Sequence, residues 1–154
     1  MDEDVILEEA DLNFEAAPTA ETLAHQLKSN EKSPGEIIEH IKIHPEQAID
    51  VVMSIADYYQ GEENSNTAIT NLVGAAVTSE ADAAALLDEI TAANLVNQVI
   101  EEEEPVQVLV SSIKQNANNA HTIVPKLRTR GNAADGARRG DILTGKILRS
   151  LVSS

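Results

Sequence analysis

Cysteine and tryptophan are both absent, and the only aromatic rings besides histidine are Phe14, Tyr58 and Tyr59. Without cysteine there is no disulfide, no thiolate metal site and no cysteine nucleophile. With so few rings, a chain that is 42% hydrophobic must build its core from alanine, valine, leucine and isoleucine, which suits closely packed helices. It suits base-stacking surfaces badly, because those need exposed aromatics. Long apolar runs are missing too: nothing approaches the roughly 18–20 residues that span a bilayer. Met1-Asp2-Glu3-Asp4 is acidic where a secretory signal needs positive charge. The expected setting is the cytoplasm, or the inside of a virus particle, with no integral membrane association.

Positive charge is scarce over most of the chain. Residues 1–104 hold 24 acidic residues and 3 lysines, a net of −21. Residues 105–154 hold 8 basic residues and 2 aspartates, a net of +6. The acidic part repels nucleic acid and anionic membranes. The basic part is drawn to an acidic surface: a protein partner, a nucleic acid, or the acidic body of the same molecule.

The 154 residues match the length of one ordinary domain. Residues 1–18 are acidic, interrupted by apolar residues, and read either as a tail or as a docking segment anchored by Ile6, Leu7, Leu12 and Phe14. Residues 19–130 read as one helical domain of short segments. Thr19 caps a helix carrying Leu23 and Leu27. Ser33-Pro34-Gly35-Glu36 is a capping box with proline at the first helical position. Pro45 restarts the chain, and apolar residues recur at helical spacing through Ala56. Gly61 ends that segment, with residues 62–66 as a loop. Thr78 or Ser79 is expected to cap a helix with Ala83, Leu86, Leu87 and Ile90, and Thr91 to cap the next. Pro105 opens another; the alternation of Val106, Val108 and Val110 suggests a strand, but one strand has nothing to pair with, so helix is preferred. The fold class is therefore all-α: a compact array of short helices, either repeat-like or an irregular bundle.

Glycines at 131, 136 and 140 punctuate the chain, so residues 131–140 read as a flexible linker. Residues 141–154 then form a basic amphipathic helix. Ile142, Leu143, Ile147, Leu148 and Leu151 give it an apolar stripe, and Arg138, Arg139, Lys146 and Arg149 flank it. The expectation is a detachable hook that binds a protein partner, with self-association as a special case.

The chemical motifs carry less weight. Gly140 to Lys146 matches the first seven positions of a phosphate-binding loop, but Ile147 stands where a magnesium-holding Ser or Thr is needed, and no buried strand precedes it. His40 and His44 lie one helical turn apart with Glu36 and Glu39 nearby, a spacing that metals use, but no Glu follows His40 and His44 sits just before Pro45, so they read as solvated surface residues. His25 and His121 have no catalytic companion. Arg139-Gly140-Asp141 spells an adhesion tripeptide that is common by chance. The run Glu101–Glu104 reads as a solvated helix end. No catalytic residues, metal ligands or cofactor are assigned. The expected function is a non-enzymatic structural, assembly or adaptor protein that binds protein partners through the C-terminal helix and acidic body. Alternatives are a virus or phage structural or scaffolding component, and a nucleic-acid-binding protein using the basic C-terminal third. Attachment to a membrane surface through the same helix is disfavoured because it has no Trp or Phe to anchor it.

Overall fold

The computed structural model describes residues 19–135 and 138–153. Among these residues every regular element is helical and no strand occurs. In chain order the helices are α1 (Ala20–Lys28), α2 (Pro34–Ile43), α3 (Ala48–Tyr58), α4 (Glu62–Ala75), α5 (Glu89–Glu101), α6 (Gln107–Gln115), α7 (Asn119–Asp135) and α8 (Arg139–Val152). Single 3₁₀ turns lie at Pro45–Gln47 and Ala83–Ala85. The all-α expectation holds. The proposed docking residues Ile6, Leu7, Leu12 and Phe14 lie outside the described residues.

Several helix starts follow directly from local chemistry. The Thr19 hydroxyl accepts from Thr22 N–H at 3.2 Å, satisfying one of the orphan donors of the first turn. The Ser33 capping box closes in both directions: Glu36 N–H donates to Ser33 Oγ, and Ser33 N–H donates to Glu36 Oε1. Asp88, not Thr91, caps α5; its carboxylate accepts from Thr91 N–H at 2.7 Å. Residues 62–66 are the opening turns of α4 rather than a loop.

The stretch 78–88 departs most from its expected helix. It runs as a largely extended strap with one 3₁₀ turn, leaving Leu86 and Ile90 exposed. Asparagines hold it. The fully buried Asn119 accepts from Leu87 N–H at 2.9 Å and donates to Ala85 O and Ser112 O. Asn116 donates to Asp82 O, and Asp82 N–H donates to Gln115 O. These bonds give the strap's backbone the partners that a helix would otherwise supply.

The helices close around a single aliphatic core contributed by α1 through α8. Helix α8 sits at its centre, packed against α3 and α7 and touching α2 and α6. In a solenoid each unit meets only its sequence neighbours. Here the last helix meets the third, so the arrangement is an irregular closed bundle.

Close approach to α8 depends on glycine. A Cβ built on Gly145 would stand 2.5 Å from Ile49 Cα of α3. One on Gly140 would stand 2.5 Å from Arg128 O, and one on Gly131 would stand 2.6 Å from Gly140 Cα, so α7 and α8 meet backbone to backbone. Gly131 belongs to the last turns of α7, which run to Asp135. The expected linker across 131–140 is therefore corrected: its first half is helix, and Arg139 already begins α8. Gly131 and Gly140 serve packing rather than flexibility.

Two predictions follow. Gly145→Ala should cost about 1–3 kcal/mol by overpacking against α3. Gly74→Ala, at a helical glycine with no heavy atom within 4 Å of the added Cβ, should gain roughly 0.5–1 kcal/mol. Thermal denaturation followed by circular dichroism should move in opposite directions for the pair.

The caps also set an acid dependence. Glu36 is held below the ordinary carboxylate range by the backbone N–H and hydroxyl of Ser33, and Asp88 by those of Thr91. A carboxyl with a lowered folded-state pKa stabilises the fold above its unfolded pKa and loses that contribution as pH falls through the folded one. Asp88→Asn should therefore melt below wild type at neutral pH. The gap should narrow once the pH drops beneath the ordinary carboxylate range, as read from melting curves across pH.

Candidate functional site

The charged residues at the start of α8 form the densest polar cluster in the interior. Asp141 lies in the first turn of α8, where the helix dipole favours a negative charge, and is 2% exposed. Arg128 of α7 is 5% exposed and donates through Nε to Asp141 Oδ1 at 2.6 Å. Its Nη1 donates to Ser65 Oγ at 3.1 Å and to Asn66 Oδ1, both on α4. Arg138, in a left-handed conformation at φ 60°, donates to Asp141 Oδ2 at 3.2 Å and to Met53 O at the same distance. It also pairs with Asp57 of α3 at 3.1 Å. Asp141 N–H, an orphan donor of the first turn, donates to Asn132 Oδ1 of α7. One aspartate thus ties α3, α4 and α7 to the head of α8.

The other C-terminal cations are also largely engaged. Arg139 donates to Ile100 O at 3.1 Å and Val99 O at 3.5 Å, covering the carbonyl end of α5. Arg130 donates to Asn97 Oδ1, and Lys126 pairs with Glu89. Of the eight basic residues beyond Pro105, these five (Lys126, Arg128, Arg130, Arg138 and Arg139) bond to the body of the same molecule. Two of them, Lys126 with Glu89 and Arg138 with Asp57, pair with carboxylates of the acidic body, and the others bond to Asp141, to amide side chains or to carbonyls.

The predicted partner-binding set divides accordingly. Leu143, Ile147, Leu148 and Leu151 are buried in the core. The detachable-hook reading is corrected: the stripe is covered by α3 and α7. Exposing four such side chains costs about 1.5–3 kcal/mol each, and together this rivals the whole stability of a domain, about 5–15 kcal/mol. Arg138 and Arg139 are half-buried and spent on internal bonds. Ile142 is half-buried at the surface, while Lys146 and Arg149 are exposed and form no ion pair among the described residues.

These last three residues line an open groove of about 740 Å³. Ile142, Leu143, Lys146 and Arg149 of α8 make one wall, and residues Glu103 to Gln107 make the other, with Pro45 at one side. Glu103 turns this second wall with a φ of 55°. Glu101–Glu104, expected as a solvated helix end, also contributes Glu103 and Glu104 to this wall. Pro105 with Val106 was the available signal: an apolar pair directly after four acids.

The remaining motifs are accounted for. Gly140 to Lys146 lies inside α8, so its N–H groups serve a helix and its glycines face α7 and α3. Gly140 and Asp141 of the adhesion tripeptide are buried. The His40 and His44 rings are 4.9 Å apart, but His40 Nε2 bonds to Gln47 Oε1 at 2.8 Å. Among the described residues no three His, Cys, Asp or Glu side chains are placed to share a metal ion. No described helix is long and apolar enough to cross a membrane.

No known protein family matches the chain, and no curated protein or solved structure is significantly similar to it.

The cluster around Asp141 makes a sharp stability prediction. Arg128→Met leaves a buried carboxylate short of its main partner and should cost about 3–5 kcal/mol, whereas Arg128→Met with Asp141→Leu should recover most of that loss. Urea unfolding midpoints compare the two. Equal destabilisation by the single and double variants would show that the pair is not the coupled unit described here.

Proposed function

We propose that this protein is a non-enzymatic adaptor or assembly component that receives an acidic, apolar-anchored segment of a protein partner in the groove between α8 and residues 103–107. The observation that carries the reading is the composition of the groove wall. Lys146 and Arg149 remain exposed there beside Ile142, while five other C-terminal cations are consumed inside the fold. An apolar floor supplies affinity, and flanking cations orient an acidic ligand. A structural or scaffolding component of a virus or phage particle falls within the same reading.

The same internal use of cations weighs against nucleic-acid binding. Such binding draws on many free phosphate contacts, and here the surface is dominated by the acidic body. The buried ionic cluster likewise supports a structural role, since both Asp141 oxygens and the Arg128 fork are already bonded to the protein.

Removing residues 141–154 is no test, because it removes core side chains. Lys146→Glu with Arg149→Glu changes only exposed residues. Affinity capture with the full chain should retain a partner through wild type, and the double variant should bind it roughly tenfold more weakly, about 1.4 kcal/mol. Circular dichroism should be unchanged. Equal capture by both proteins would rule the groove out.

A further inference from the structure

We infer that the groove is occupied by the chain's own acidic segment, residues 1–18, which a partner must displace. This rests on the reading above that the groove takes acidic segments. The segment carries seven acidic residues and no cation, with Ile6, Leu7, Leu12 and Phe14 between them. It therefore has the chemistry that the groove wall selects: carboxylates for Lys146 and Arg149, and side chains for the apolar floor around Ile142 and Val106.

Reach and competition point the same way. Eighteen residues extend to at most roughly 60 Å, and a domain of this size is on the order of 40 Å across. Ile6 and Leu7, twelve to thirteen residues before Thr19, therefore reach roughly 40 Å from it, whereas Phe14 reaches only about 17 Å. Over most of residues 19–104 it meets net repulsion, because they carry 17 acidic residues against 3 lysines, Lys28, Lys32 and Lys42. Glu103 and Glu104 form the opposite lip, so carboxylates entering the groove are favoured on the α8 side. Tethering supplies an effective concentration in roughly the millimolar range. Even a weak fit is then populated, and an external partner has to compete with it.

Because the chain has no cysteine, a single nitroxide can be placed by Ala10→Cys, between Leu7 and Leu12. Paramagnetic broadening of backbone amides in the full chain is the readout. The expected result is signal loss centred on Val106, Ile142, Lys146 and Arg149. It should weaken in high salt, which screens exposed charges, and disappear with Lys146→Glu and Arg149→Glu. No broadening, broadening centred elsewhere, or broadening that survives the charge reversal would overturn the inference. A mixture of isotope-labelled chains without nitroxide and unlabelled chains with it separates the sources. Broadening that persists in the labelled chains shows a second copy in the groove and overturns the intramolecular reading. Failure here is distinguishable from failure of the functional proposal. Charge-dependent capture of a partner without broadening leaves the adaptor reading standing, and broadening without such capture leaves a groove that serves only its own chain.

Discussion

The fold turns on how closely α8 approaches α3 and α7. Gly131, Gly140 and Gly145 remove the side-chain atoms that would hold these backbones apart. Once the backbones touch, the α3- and α7-facing side of the first turn of α8, at Gly140 and Asp141, is closed to water. Asp141 is then shut away from solvent and must be given partners, because an unpaired buried charge costs several kcal/mol. Arg128 and Arg138 supply them, while Asn132 accepts from the Asp141 backbone N–H, and all three come from the chain just before α8. Close packing and the ionic cluster are thus one device. The glycines permit contact, the aspartate is trapped by it, and the arginines make the trapped charge tolerable.

This arrangement explains why the basic third of the chain is basic. Guanidinium groups suit the ends of helices, where carbonyls lack partners, and Arg139 serves the end of α5 in this way. Arg128 and Arg138 serve a carboxylate. Part of the charge asymmetry is an internal complementarity: Lys126 and Arg138 pair with Glu89 and Asp57 of the acidic body. What remains outside is small and local, confined on α8 to Lys146 and Arg149 beside a groove.

The helical class and several caps were legible because they depend on neighbouring residues. The Ser33–Glu36 box is complete within four residues, and Thr19 acts on Thr22. The amphipathic stripe of α8 was also legible, but its destination was not. A stripe states that something covers it, and the same residues would serve a partner's groove or the molecule's own core. The Gly131–Gly140 stretch misled for a related reason: glycine marks both flexible turns and close helix contacts, and only the neighbour across the gap tells them apart. The strap at 78–88 failed as a helix because Asn116 and Asn119, some thirty residues away, outcompete its own backbone bonds. The groove depends on residues 103–107 meeting α8, a pairing with no local signature at all.

The central position of α8 also has a bearing on how the molecule comes into being. On a ribosome, α2, α3, α6 and α7 emerge before the helix they pack against, and the faces they turn to it stay uncovered until residues 139–152 are free. Domains generally complete as units, and incomplete ones expose surface that invites aggregation and proteolysis. The contacts of α1 with α3 and of α7 with α4 and α5 do not involve α8, so the fold assembles in two stages, and residues 139–152 close the face that α3 and α7 leave open.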